Sequence, residues 1–295
     1  MTTAQALTHP DKVLFPGQGI TKRQLSSYYA LVADHMLPHV KARPLTLVRC
    51  PNGSEKPCFF QEHPGRGAPA AIRSVVVPEK HGNAPYGVID DADGLFALVQ
   101  YGALEIHTWG SRIGDLEHPD LVVMDLDPDP TVPSELVVDA AHDVRAWFQR
   151  FGLESFPKTT GGKGFHVCVP LAPDHDWDEV RAFSRHVAEG MAEEAPERYV
   201  ATASKTVRGG KIFLDYLRNS RGATFVAPYS TRAKPGAPVS MPLHWDQVSP
   251  DIRPETFTVK TVVERLGTPS SDPFAGFEAL AQRIPPGFAP GGAAR

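Results

Sequence analysis

The stretch LVVMDLDPDP, residues 121–130, ends an apolar run in three carboxylates spaced two residues apart. Side chains on a strand alternate faces, so Asp125 and Asp127 point the same way while Leu126 points to the other side. Two carboxylates on one face repel unless something positive sits between them. Asp129, in an Asp-Pro pair, reads as turn chemistry. A second segment, KIFLDYL, places Asp215 in a run otherwise made of Ile212, Phe213, Leu214, Tyr216 and Leu217. An acid there is costly unless neutralised. If the two strands are neighbours, Asp125, Asp127 and Asp215 converge. Three carboxylates with open positions form a hard-oxygen site suited to Mg2+ or Mn2+ rather than zinc. In phosphoryl-transfer enzymes two such ions lie about 3.5–4 Å apart and stabilise the attacking and leaving oxygens. Read alone, an Asp-x-Asp pair at a strand end is ordinary turn chemistry; the third acid shifts the balance toward a metal.

Three further features suit a polyanionic ligand. In KTTGGKGFHV, Gly161 and Gly162 let the backbone approach a ligand and line up N–H groups for a phosphate, with Lys163 adding charge and His166 following in the next strand. The plainer reading is a glycine hairpin with a solvated lysine, and the order is not that of a P-loop. From Lys205 to Lys234 the chain carries Lys205, Arg208, Lys211, Arg218, Arg221, Arg232 and Lys234 against Asp215 alone, in a chain of net charge −4. That local concentration argues against a merely solvated face. Phe59 and Phe60 are adjacent on one extended segment, so one of them faces away from the core, where a base can stack on it. Lys12, Lys22, Arg23, Arg49 and Lys56 lie in the same third and could track phosphates.

The elements that must position these residues follow from pattern. Thr21 and Gln24 form a capping box opening a helix that runs to the Leu37-Pro38 stop. Strands are expected at 44–51, 56–63 and 72–79, a loop at 79–87, and a helix passing into an extended stretch over 94–110. Then come a strand at 121–128, a helix at 133–152, a strand–turn–strand at 155–171, a helix at 176–196 and a strand at 211–219. That order, β-α-ββ-α-β, is a split βαβ sheet with helices on one face, an α+β class. RIPPGFAPGGAAR at the end reads as a loose tail or linker.

In that order and at those spacings, DLDP, TGGKGFH, FLDYLRN and APYSTR resemble the motifs of the polymerase domain of bacterial ligase D of non-homologous end joining, a branch of the archaeo-eukaryotic primase superfamily. The resemblance runs from DKVLFPGQGITK to MPLHW and covers most of the chain. It implies a primase-polymerase catalytic core, with an RRM-like part at about 116–235 beside an N-terminal α/β module at about 1–115. Together they make one catalytic domain over 1–275, followed by a Pro/Gly-rich tail at 276–295. It implies that Asp125, Asp127 and Asp215 bind metal. It implies that His107 contacts the nucleotide and primer end, that Thr160, Lys163, His166, Arg218 and Arg232 hold the nucleotide, that Phe59 and Phe60 pack against DNA, and that Lys12 and Lys22 take a downstream 5′-phosphate. Thr160 stands where the family usually has serine, and HTW replaces the frequent HPW. Templated addition of nucleotides, with a preference for manganese and ribonucleotides, at gaps and 3′ overhangs is the implied activity, with a Ku-type end-binding protein and a DNA ligase as partners. Two rivals stay open: a metal-dependent nuclease or phosphoesterase, and a non-catalytic module that bridges DNA ends.

The bulk numbers are compatible. A chain of 295 residues, 41% hydrophobic, can bury a sizeable core. Cys50, Cys58 and Cys168 are too few and scattered for a disulfide framework or zinc knuckle, so a reducing cytoplasm is expected. The N-terminus does not read as a signal peptide, and no run approaches the roughly 20 apolar residues of a membrane span.

Overall fold

A computed structural model describes residues 6–266 and 272–288. The chain divides into two compact units: 1–108 with 226–239 and 258–269, and 109–225 with 240–257 and 270–295.

In the first unit a small ribbon, β1 (Val13–Phe15) with β2 (Ile20–Thr21), leads into α1 (Lys22–Leu31), whose Thr21–Gln24 capping box forms as expected. The helix does not continue to Pro38. It breaks at Val32 (φ −90°, ψ 1°), and Pro38 lies inside a second helix, α2 (Ala33–Val40). Leu25, Tyr28, Tyr29, Val32, Met36 and Val40 are all buried, so the apolar stripe runs through the break and periodicity cannot detect it. Five strands follow: β3 (Leu45–Arg49), β4 (Phe59–Gln61), β5 (Arg73–Glu79), β6 (Gly82–Val88) and, after α3 (Ala92–Gln100), β7 (Ala103–Thr108). Residues 82–88, expected as loop, are therefore a strand, registered with β5 from Arg73↔Val88 to Glu79↔Gly82. Its Gly, Asn and Pro content hides it, because its buried apolar side chains, Tyr86 and Val88, come only at its end. The expected strand at 56–63 shrinks to three residues.

In the second unit β8 (Leu121–Pro128), α4 (Ser134–Arg150), β9 (Phe156–Thr159), β10 (Phe165–Pro170), α5 (Trp177–Glu194), β11 (Tyr199–Val200) and β12 (Ile212–Asp215) realise the expected split βαβ order. The sheet order is β11-β12-β8-β10-β9. Helices α4 and α5 meet through stacked Phe148 and Phe183, with ring centroids 6.1 Å apart. The 211–219 segment is strand only to Asp215; Tyr216–Arg218 turn into a 3-10 helix. The chain then passes through β13 (Phe225–Val226), and α6 (Val259–Leu266) completes the helices of the first unit.

Two further expectations are overturned. Cys50 and Cys58 form a disulfide, because the loop joining β3 to β4 folds back and brings their Cα atoms to 4.4 Å. Among the described residues Cys168 is the free, buried cysteine. The described part of the C-terminal segment is not loose. Phe274 and Phe277 enter a core with Leu121, Val123, Cys168 and Phe225. Gln282 hydrogen-bonds Glu154 and Pro170, and Phe288 packs its ring on Phe151 and Phe183. Aromatic residues within a Pro/Gly-rich stretch supply the adhesion that composition conceals. Residues 289–295 of the expected tail lie outside the described residues.

Candidate active site

The second unit positions the acids by strand register. β12 pairs antiparallel with β8, putting Asp215 opposite Asp125 and Phe213 opposite Asp127. On the other side of β8, His166 of β10 is also opposite Asp125. Three adjacent strands therefore contribute Asp215, Asp125 and His166 in one row.

Charges inside this row are matched closely. Arg218 Nε lies 3.1 Å from Asp215 Oδ2 and 3.3 Å from Asp125 Oδ2. Asp125 Oδ1 is 3.3 Å from His166 Nε2. Burial alone would raise the Asp125 pKa, but His166, Arg218 and Lys158 together hold it down at about 2. Asp215 has the opposite balance: burial raises its pKa, the Asp125 charge adds to that, and Arg218 and the Leu217 N–H only partly offset the rise. Asp127 is 61% exposed and meets Arg208 at 3.1 Å; burial and the Asp125 charge raise its pKa. His166 is pushed down to about 4 by burial and by Lys158, against the pull of Asp125.

The supporting groups include several that sequence reading passed over. Lys158 is almost fully buried and donates to Ser240 Oγ at 2.8 Å. Arg208, noted only as one of a run of cations, stacks its guanidinium over Phe213 at 3.6 Å while reaching Asp127. Asn219 continues the ladder where β12 stops: its amide accepts from Val123 N–H and donates to Val123 C=O, both at 2.8 Å. The polar end of the FLDYLRN motif was the available signal for Asn219. Between β9 and β10, Thr160 N–H donates to the Gly164 carbonyl at 3.1 Å, closing the turn that carries exposed Lys163. Gly161 takes a left-handed φ of 65°. Gly164 lies so close to β8 that a Cβ would stand 2.1 Å from the Leu126 carbonyl oxygen, so only glycine fits there.

The first unit carries its own polar cluster. Glu105, buried on β7, lies 2.9 Å from His107 Nε2 and 2.8 Å from Arg232 Nε. Phe60, 74% exposed, stands edge-on to the His107 ring at 6.5 Å. Phe59 is also exposed and carries Arg49 over its face at 5.4 Å. Lys22 is buried, donating to Gln100 Oε1 at 2.8 Å and Thr8 C=O at 3.0 Å; burial first, then the Lys12 charge, lowers its pKa. Lys12 is held by backbone, since its C=O accepts from Lys22 N–H at 2.8 Å. Of the expected site residues, Asp125, Asp127, Asp215, Thr160, Lys163, His166 and Arg218 lie in one unit, where Asp125, Asp215, His166 and Arg218 are in contact. In the other unit stand the His107–Arg232 pair, the Phe pair and the Lys12–Lys22 pair.

For a divalent cation, the donor set fits in kind: three carboxylates of hard oxygen, two of them facing each other. A guanidinium nitrogen shared by Asp125 and Asp215 shows that the pair holds positive charge between them. As the side chains stand, no group of three His, Cys, Asp or Glu among the described residues is arranged as a cage, and Asp127 is paired with Arg208.

The family described as "LigD, primase-polymerase domain" matches residues 21–274. The chain belongs to this family. Within the LigD group it is 37% identical over 284 residues to the multifunctional non-homologous end joining protein LigD of Pseudomonas aeruginosa, covering 96% of this chain and 34% of that protein. To the bifunctional LigD of Bacillus subtilis it is 33% identical over 260 residues, 88% of this chain and 42% of that protein. The chain therefore spans well under half the length of these LigD relatives. Its fold matches the polymerase domain of Mycobacterium tuberculosis ligase D, solved in complex with DNA, with a TM-score of 0.86 at 33% identity over 94% of this chain and 99% of that one. The α+β primase-polymerase fold expected from the motifs is the observed one. No helix among the described residues is long and apolar enough to cross a membrane.

Proposed function

We propose that this chain is a DNA-dependent nucleotidyltransferase that adds nucleotides to primer 3′ ends at gaps and 3′ overhangs during end joining. The observation that carries the reading is the row Asp215–Asp125–His166 across three strands of the split βαβ sheet, with Arg218 between the first two. Asp125, Asp127 and Asp215 would hold Mn2+ or Mg2+, two ions in the family pattern. The chemistry the metal supplies when bound is a lowered pKa for the primer hydroxyl and charge neutralisation on the triphosphate.

The protein's own groups do the rest. Burial beside Lys158 keeps His166 neutral at pH 7, able to bond a phosphate or sugar without adding charge. Thr160 and Lys163, on the glycine turn, receive the phosphates of an NTP or dNTP, and Arg218 offsets charge developing on them. By the same family resemblance, His107 and Arg232 contact the nucleotide. Phe59 and Phe60 give exposed ring faces on which a template base stacks. Lys12 and Lys22 take a 5′-phosphate. By the family resemblance, a Ku-type end-binding protein and a DNA ligase are its partners, and a bacterial cytoplasm containing the nucleoid is where its substrate lies.

The test is primer extension on a short gapped duplex bearing a downstream 5′-phosphate, with manganese against magnesium and ribonucleotides against deoxyribonucleotides. Templated addition that disappears in the Asp125→Ala/Asp127→Ala double variant supports the reading. Primer shortening would instead favour a nuclease, and DNA binding with neither outcome a bridging module.

A further inference from the structure

Glu105 lies two residues before His107 on β7, so the two side chains share one face of the strand. All of its carboxylate is in use. Oε2 accepts from Arg232 Nε at 2.8 Å and from His107 Nε2 at 2.9 Å, and Oε1 accepts from the Ala233 N–H at 2.9 Å. Burial works against the charge, but these partners hold the pKa at about 2. An ionised carboxylate only accepts, so the ring proton of His107 resides on Nε2. Gripping Arg232 by Nε also fixes the plane of its guanidinium.

A purely structural staple is not needed here. The 231–233 segment is already tied down by Arg232 N–H to the Pro238 carbonyl at 2.8 Å, by Thr231 Oγ1 to the Leu104 carbonyl, and by Tyr29 against Thr231 Oγ1 at 3.0 Å. Glu105 instead joins the two side chains that share the proposed nucleotide role.

We propose that Glu105 is a positioning residue for the incoming nucleotide, setting the tautomer of His107 and the aim of Arg232 through one shared carboxylate. The inference rests on the nucleotide role given to His107 and Arg232 above.

The experiment measures equilibrium binding of ATP, with Mn2+, to the full chain on a gapped duplex, alongside binding of the duplex itself. The proteins are wild type, Glu105→Gln, Arg232→Gln and the double variant, with Glu105→Asp replacing Glu105→Gln if the latter does not fold. Loss of one charge-assisted hydrogen bond is expected to weaken ATP binding about tenfold in Glu105→Gln, with duplex binding unchanged. The double variant should lose less than the product of the two single losses. Unchanged ATP affinity, equal losses for ATP and duplex, or losses that multiply would each overturn the inference. If Arg232→Gln itself leaves ATP binding unaltered, the nucleotide role of Arg232 fails and the inference with it. If Arg232→Gln weakens ATP binding while Glu105→Gln does not, the inference alone fails.

Discussion

Asp215 and Asp125 face each other directly across the antiparallel β12–β8 pair, with the Arg218 Nε within 3.3 Å of both. Two like charges in this register destabilise the fold unless a cation lies between them. Asp215 is the member whose ionisation costs more, since burial and the Asp125 charge both raise its pKa. Asp215→Asn is therefore expected to raise the Tm of metal-free protein slightly, by no more than about 3 °C, while lowering templated addition at least about a hundredfold. Thermal melts in chelator and primer extension in manganese check both halves.

His166 gives a pH dependence. Its folded pKa, about 4, lies below the ordinary 6.5 because of burial and Lys158. The unfolded chain thus binds the proton more readily than the native one. The stability this represents is fully present above about pH 6.5 and is lost as pH falls through about 4. Denaturant melts of metal-free protein should show stability declining across that window, and His166→Gln should flatten the decline.

Asn219 closes both hydrogen-bonding groups of Val123 where β12 has ended. In Asn219→Ala those buried groups lose their partners, which costs about 1–3 kcal/mol. Urea melts should show a loss of that size. Arg218, one residue earlier, should then hold Asp125 and Asp215 less firmly, so extension activity falls as well.

The Lys22 ammonium is buried, bonded to Thr8 and Gln100 and electrostatically coupled to Lys12. Lys22→Ala is expected to weaken binding to gapped DNA with a 5′-phosphate roughly tenfold, the size of one charge-assisted contact, and binding to the same gap without that phosphate much less. Equal losses on the two duplexes would remove the phosphate role.

The Cys50–Cys58 bridge closes a short loop immediately before Phe59. Non-reduced, denatured protein should titrate with one thiol, that of Cys168, and reduced protein with three. Reduction is expected to cost about 2.5 kcal/mol on the chain-entropy account, read as a fall in the denaturant midpoint.

Much of the acid site was legible because strands impose a period of two. Asp125 and Asp127 share a face, and an acid inside IFLD needed a charged neighbour. The partner identities were not legible. Arg218 between the acids, Arg208 on Asp127 and Glu105 under His107 depend on side chains brought together by register and by segments far apart in sequence. β6 was lost because its Gly, Asn and Pro residues interrupt any apolar alternation, and the break at Val32 because an apolar stripe crosses it. The disulfide was missed because three cysteines were weighed as a framework, whereas a single pair needs only one loop that folds back.

Both units are discontinuous in sequence. Tyr28 and Tyr29 donate to or share hydrogen bonds with Tyr229 and Thr231, some 201–202 residues later. The second unit in turn draws on residues 240–257. During synthesis, then, the β8–β12 sheet can assemble while the tyrosine hydroxyls of the first unit still lack their partners. The hydroxyls of Tyr28 and Tyr29 must wait for the 229–231 segment, which follows residues 109–225 of the second unit, before they are satisfied.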